Sequence, residues 1–398
     1  MRRLNKLLVT RLRGRLIAAL VDEKRVVQMN FADSEGSVLN NIYVGKVKNL
    51  VKNLNAAFVE FSNGQIGYLA LGANPDPIFT GPHPRNGVRE GDELLVQISK
   101  EPVKTKAPVL SSSLSFGGRY LVLTTGRPEI GFSGKIKDGV WKSQMRETLM
   151  KAKEGRSYGL IVRTNARDAS QAEILAELEL LEARLHRVLE LGRTRACFSL
   201  LYEAPKPYLA EVRDAYTRQL KQIVTDLPEC YLEMKEFLKE YQPDELDKLA
   251  FYEDSYPLEK LYSLESALEQ ALSKRVWLKS GGYLIIEPTE ALTVIDVNSG
   301  KYTGKKTVQE TILKINLEAA EEIAHQIRLR NLSGIIIVDF IDLEQAEDKE
   351  KLLESFQAWV DQDPIKTNLV DMTKLNLVEL TRKKVRRPLH EQIRESNA

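Results

Sequence analysis

The chain has 398 residues, with 58 Lys+Arg against 56 Asp+Glu and a formal charge of +2. That length exceeds one ordinary domain, and the near balance of charge excludes a uniformly basic nucleic-acid coat while allowing local segregation. No run approaches ~18 apolar residues, which excludes a membrane-spanning helix, and two cysteines, Cys197 and Cys230, are too few for a disulfide framework. No secretory signal is expected in the basic stretch 1–30, so the expectation is a cytoplasmic, multidomain enzyme.

In chain order, residues 6–30 read as a hairpin that cannot bury a core alone and must pack against a later segment. Five short strands follow, at 41–48, 55–61, 65–71, 93–99 and 107–113, with a Pro/Gly-rich loop including Pro75 and Pro84 between the third and fourth. Five strands in ~70 residues suit a small closed barrel of the OB type, whose middle strands bind oligonucleotides. Next come apolar strands at 119–124 and 158–163, separated by a loop with Gly126, Gly131 and Gly134 and by a helix near 141–153. A leucine-periodic helix over 169–191 is expected to stop at Gly192. Residues 208–271 read as mainly helical and charge-rich.

The last third predicts strands at 283–287 and 291–297. A helix opened by a Thr307/Glu310 capping box would bury Val308, Ile312, Ile315, Ala319, Ile323 and Ile327. A buried strand at 334–340 and a helix with Leu352, Leu353, Phe356 and Val360 on one face complete it. Strand–helix–strand–helix implies an α/β layered domain with its site at the carboxyl ends of the strands.

Two carboxylates stand there. Asp296 ends one apolar strand and Asp339 another. Such groups side by side repel, a divalent cation relieves the repulsion, and hard oxygen ligands favour magnesium. Asn298, two residues beyond Asp296, projects from the same side of an extended strand. The competing reading is that aspartates after strands cap the next turn or helix, and Asp342 is read as the cap of a helix starting near Leu343.

On the barrel, Phe58 reads as core and Tyr68 as balanced between core and surface; Lys46, Lys48 and Lys106 place charge nearby. Exposed aromatics of this kind stack bases at ~1–3 kcal/mol each. Arg163 and Thr164 close a buried strand, where they suit either a phosphate or, for Arg163, an ion pair with the neighbouring helix; spacing alone favours the ion pair. His325 reads as a packed or surface residue, and no closely spaced histidine pair supports zinc hydrolysis. The basic run Arg382, Lys383, Lys384, Arg386 and Arg387 reads as solvated and compatible with nucleic-acid contact. No Gly-Lys-Ser/Thr follows the glycine-rich loop, so a nucleotide-binding P-loop is not expected.

Taken together, these motifs resemble the ribonuclease E/G family of endoribonucleases. Residues 286–299, Leu317-Glu318-Ala319-Ala320 and 334–342 resemble its catalytic segments, and 56–59, 67–69, 119–123 and 159–164 fit upstream, in one order from about 6 to 383. The resemblance implies an α+β multidomain chain. Its parts would be an RNase H-like scaffold (1–38 plus 208–271), an inserted OB-fold barrel (39–113), a 5′-sensor module (114–207), a DNase I-like α/β catalytic domain (272–383) and a basic tail (384–398). It further implies that Asp296 and Asp339 hold Mg2+, with Mn2+ able to substitute, and that Asn298 acts near the scissile phosphate. Phe58, Tyr68 and Lys106, with Lys46 beside them, would grip single-stranded RNA. Gly131, Lys135, Arg163 and Thr164 would recognise a 5′-monophosphate. Lys366 stands where the family has an arginine, keeping the charge but losing the bidentate fork. The family's zinc-clamping cysteine pair is absent, so no zinc and a homo-oligomer without a zinc link are expected.

The leading expectation is therefore a magnesium-dependent endoribonuclease. It would cut single-stranded RNA, such as rRNA precursors and mRNA, to 5′-phosphate and 3′-hydroxyl ends, favouring 5′-monophosphorylated substrates. A non-catalytic RNA-binding or ribosome-maturation factor is the runner-up, although a pure binder needs neither aspartate nor the asparagine. A nuclease preferring DNA is the third reading.

Overall fold

The computed structural model describes residues 4–23, 25–32, 38–72, 77–82, 87–101, 107–215, 220–300 and 308–394; Pro75, Pro84, Lys106 and Thr307 lie outside them. The chain forms two compact units, Ser34–Asp214 and the discontinuous Met1–Asp33 with Ala215–Ala398. Both mix strands and helices, and among the described residues no helix is long and apolar enough to cross a membrane.

In the Ser34–Asp214 unit, five strands close into a barrel. Ile42–Val51 pairs with both Ala56–Ser62 and Glu93–Lys100, while Gln65–Ala70 links Ala56–Ser62 to Val109–Ser111, which returns to Glu93–Lys100. Alternation along these strands sends Val47, Ala57, Val59, Phe61, Leu69, Leu94, Val96 and Ile98 inward. A Cβ on Gly45 would lie 2.6 Å from Val59 and 2.9 Å from Val96, so closure requires glycine there. All five expected barrel strands form.

The rest of this unit is a four-stranded sheet ordered Ile130–Phe132, Gly159–Val162, Leu121–Thr124, Ser115–Gly117, packed with helices Gly139–Ala152 and Gln171–Thr194. Ser170 and Glu173 cap the longer helix reciprocally. Gly192 does not end it. The helix continues to Thr194, and Gly192 lets it approach Leu95 of the barrel, where a Cβ would meet the leucine at 2.8 Å. Gly131 lies in a strand rather than in the expected loop.

In the other unit, the N-terminal strands Leu4–Leu12, Arg15–Asp22 and Arg25–Phe31 are antiparallel neighbours. The partner they need is supplied by Gln222–Thr225, parallel to the first strand, and by Leu249–Phe251, parallel in turn to it. The section 208–271 is thus not only helical: two short strands alternate with its helices.

The C-terminal part of this unit is a six-stranded sheet ordered Arg275–Trp277, Tyr283–Pro288, Leu292–Asn298, Gly334–Asp339, Leu377–Arg382, Thr367–Met372. Among the described residues its one parallel pair is Leu292–Asn298 with Gly334–Asp339. Residues of one parity, among them Leu284, Ile286, Ile295, Val297, Ile336, Val338, Val378 and Leu380, bury against helices Val308–Leu329 and Ala346–Val360. Val308 departs from the expected apolar face and is exposed. Residues of the opposite parity, including Val294, Ile335, Asp296 and Asp339, stand on the open face.

Candidate active site

Asp296 and Asp339 end the parallel strand pair, and they are register partners across it. Each leaves its strand toward the open face, because the preceding buried residues, Ile295 and Val338, take the other. Asn298 lies on the same face, and its Nδ2 donates to Asp296 Oδ2 at 2.7 Å. The three residues singled out as catalytic therefore converge on one strand end. Partial burial, and then the like charges of Asp296 and Asp342, hold the Asp339 carboxyl above its ordinary range.

Two supports were not legible as such. Asn316 is fully buried on the apolar side of Val308–Leu329, donating to the Ile341 carbonyl at 2.7 Å and accepting from the Ile341 N–H at 3.1 Å. It pins the turn directly after Asp339. A polar residue among Ile312, Ile315, Ala319 and Ile323 was the available signal, since a buried amide demands partners. Glu318 accepts from the N–H groups of Lys279, at 2.6 Å, and Ser280. These precede Gly281 and Gly282, and a Cβ on Gly282 would lie 2.7 Å from the Asn298 carbonyl. Glycine is required where that loop crosses the end of strand Leu292–Asn298.

Asp342 is not a helix cap: the helix begins at Ala346 after Gln345, and Asp342 Oδ1 accepts from Asn376 Nδ2 at 3.1 Å. Arg382 is not solvated. It is buried at the end of its strand, donating to Asp363 at 2.7 Å, to Asn331 and to the Leu332 carbonyl. His325 is packed, with Nε2 2.9 Å from the Val26 carbonyl and Nδ1 3.3 Å from Glu322.

On the barrel, Phe58 and Tyr68 are opposed across antiparallel strands with ring centroids 6.1 Å apart, and both are half-buried on the outer face. Phe58 is therefore not barrel core. Lys46 stands opposite Glu60 and Glu93 and forms an ion pair with Glu93 at 3.7 Å, while Lys48 pairs with Glu60 at 3.0 Å. Lys106 lies outside the described residues.

The four-stranded sheet brings part of the proposed 5′-end group together. Ile130–Phe132 and Gly159–Val162 run parallel, so Ser133 and Thr164 follow neighbouring carboxyl ends, and their hydroxyls are 2.8 Å apart. Exposed Gly131 and the Lys135 backbone, 3.4 Å from Ser133 Oγ, adjoin them. Arg163 points elsewhere: it donates to the Gly118 carbonyl at 2.6 Å and to Asp214 at 2.8 Å, the last residue of helix Pro207–Asp214. Arg163 thus forms an ion pair, but with helix Pro207–Asp214 rather than with Gln171–Thr194, the helix that follows it in sequence. Burial pushes the Asp214 carboxyl up, but the charges of Arg213 and Arg163 override it and hold it low. Lys366 belongs to the other unit, exposed just before strand Thr367–Met372.

Among the described residues, no group of three or more His, Cys, Asp or Glu converges as a metal cage. The Asp296–Asp339 pair suits a different arrangement. Two carboxylates on an open face, with no nitrogen or sulfur donor, leave a hard cation most of its positions for water and phosphate, which is magnesium's habit.

The ribonuclease E/G family profile matches residues 115–385. Ribonuclease G of Haemophilus influenzae is 35% identical over 362 residues, spanning 88% of this chain and 74% of that protein. Ribonuclease G of Escherichia coli is 31% identical over 364 residues, 89% of this chain and 74% of its own. Ribonuclease E of a Nostoc species is 34% identical over 385 residues, covering 94% of this chain but 55% of that longer protein. On this extent of likeness, the chain belongs to the ribonuclease E/G family.

Proposed function

We propose that the chain is a magnesium-dependent endoribonuclease that hydrolyses single-stranded RNA in RNA processing, with Asp296, Asp339 and Asn298 as its cleavage centre. The observation that carries this reading is the register pairing of Asp296 with Asp339, with Asn298 hydrogen-bonded beside them on the same open strand end. Asp296 and Asp339 would hold the cation, which when bound neutralises charge on the scissile phosphate and makes water nucleophilic near neutral pH. Asp296 fixes the Asn298 amide, which keeps its remaining donor for a phosphate oxygen. Hydrolysis in this way would leave a 5′-phosphate and a 3′-hydroxyl.

Several finer assignments belong to the same proposal. Phe58 and Tyr68 present a paired aromatic surface suited to unstacked bases, with Lys46 supplying charge. The Ser133–Thr164 hydroxyl pair, with Gly131 and Lys135, suits a terminal phosphate. The mixed five-stranded sheet is read as an RNase H-like scaffold and the six-stranded layered sheet as a DNase I-like catalytic domain; their strand orders support this.

Cleavage of a 5′-monophosphorylated oligoribonucleotide, with and without magnesium, tests the proposal. Magnesium-dependent cutting by the unmutated chain and its loss in Asp296→Asn are expected. Undiminished cutting after chelation would overturn the metal assignment, and binding without any cutting would return the chain to the non-catalytic reading.

A further inference from the structure

The open face that carries Asp296 and Asp339 continues across two more strands to the sheet edge. Trp277 opposes Tyr283, and Tyr283 opposes Asn298, both in antiparallel register. Directly opposed residues share a face, so one row of side chains runs from the edge strand to the candidate cleavage centre. Trp277 is 62% exposed. Its ring meets Tyr283 edge to face, with centroids 5.3 Å apart. The Arg275 guanidinium lies over both rings, 4.6 Å from the Tyr283 centroid and 5.6 Å from that of Trp277. An indole so placed adds little to the core, whose side of this strand is supplied by Val276.

We propose that Trp277, Tyr283 and Arg275 form a nucleobase-stacking subsite for single-stranded RNA beside the cleavage centre. The proposal rests on the ribonuclease reading and adds a place where the substrate is gripped. Two strand steps of about 4.8 Å separate Trp277 from Asn298, roughly 10 Å in all, so a strand cut at the aspartates lays a nearby nucleotide over the platform. An unpaired base offers its π-face to the indole, and Arg275 attracts the phosphate of the same nucleotide. Two features select RNA over a protein partner: the platform is continuous with the acidic site, and its cation complements a polyanion. Bases inside a duplex are already stacked and cannot reach it, so the subsite discriminates by strandedness and tolerates any base.

The test is equilibrium binding of a short, unstructured, fluorescein-labelled oligoribonucleotide to the full chain. An Asp296→Asn background keeps the RNA intact, and magnesium is present. Trp277→Ala should weaken binding by roughly 5- to 140-fold, the range that stacking of one base implies. Trp277→Phe should recover most of the loss, and Arg275→Gln should weaken binding and reduce its salt dependence. Affinity for a duplex of the same sequence should not change. Equal single-strand affinity in Trp277→Ala and its parent would overturn the proposal. So would loss of self-association in sedimentation with RNA affinity intact, which would make the face a contact between copies. Cleavage by the wild-type and Asp296→Asn chains is read separately. Failure there would count against the cleavage centre, whereas the binding comparison decides the platform alone.

Discussion

Asp296 faces Asp339 across a parallel strand pair of the C-terminal sheet, each carboxylate turned to the open face. A parallel pair brings two carboxyl ends side by side, which an antiparallel pair cannot do. The arrangement sets two like charges together, and partial burial, followed by the charges of Asp296 and Asp342, makes Asp339 hold its proton more tightly than an ordinary aspartate. Repulsion tolerated at a strand end is a mark of a site rather than of a scaffold.

The first prediction follows from that pair. Asp296→Asn or Asp339→Asn removes a charge and preserves shape. Cleavage should fall by several orders of magnitude while RNA binding is largely kept, measured by initial rates and by anisotropy. Excess manganese should restore part of the rate. Near-normal turnover of either variant in ordinary magnesium would remove the pair from catalysis.

The supports beneath the pair should matter almost as much. Asn316→Leu strips the Ile341 N–H and carbonyl of their buried partner, and an unsatisfied buried polar group costs about 1–3 kcal/mol. Gly282→Ala drives a Cβ against the backbone carbonyl of Asn298, which cannot swing aside as a side chain would. Urea melts should show the loss in Asn316→Leu. Gly282→Ala should depress cleavage more than stability, and an unaltered rate would mean that the loop does not position Asn298.

How much of this was legible depends on the range of the interaction. Asp296, Asn298 and Asp339 could be read because an apolar run with period two declares both the strand and the face of its last residue. Gln222–Thr225 could not, because it is a short strand in a charged helical section defined by parallel pairing with the first strand of the chain, and Leu249–Phe251 could not, because its own partner is Gln222–Thr225. Arg382 is obscured for the same reason: Lys383 and Lys384 follow it and suggest a solvated basic run, whereas its partner Asp363 is reached through the fold. Gly192 carries the usual sign of a helix end, but its small volume serves the contact with Leu95.

The barrel surface makes a separable prediction. Phe58 and Tyr68 lean on each other outside the barrel core, so neither ring is needed for closure. Phe58→Ala and Tyr68→Ala should each weaken binding of single-stranded RNA by ~1–3 kcal/mol. Rates at saturating RNA should fall less than affinity. Unfolding of Phe58→Ala would show that its half-buried ring is structural after all.

For the 5′ end, the geometry divides roles that the resemblance had joined. Thr164 shares its hydroxyl with Ser133 at the strand ends, whereas Arg163 is committed to Asp214 and Gly118. Thr164→Val and Ser133→Ala should therefore each reduce the rate advantage of 5′-monophosphorylated over 5′-hydroxyl RNA without lowering thermal stability much. Arg163→Ala should lower thermal stability by loosening the helix end at Asp214, with a smaller effect on the advantage than Thr164→Val. Equal rates on the two RNAs for the unmutated chain would withdraw the sensor.

The last prediction concerns acid stability away from any proposed site. Glu322, on helix Val308–Leu329, is nearly enclosed and accepts from Gln326 at 2.8 Å, with Arg25 and His325 as its neighbours. Burial pushes its carboxyl up, but the hydrogen bond from His325 and then the charges of His325 and Arg25 outweigh burial and bring it down to about 2 from an ordinary 4.5. A carboxyl depressed on folding binds its proton more readily in the unfolded chain, so the stabilisation is fully present above pH 4.5 and decays as pH falls toward 2. A displacement of this size corresponds to on the order of 3 kcal/mol. Glu322→Gln should be less stable than the parent by about that much at neutral pH, with the gap narrowing through this acid window as the parent loses the same contribution. Urea unfolding at pH 7, 4 and 3 reads it directly. A gap that stays constant across the three would show that Glu322 contributes through packing and not through its charge.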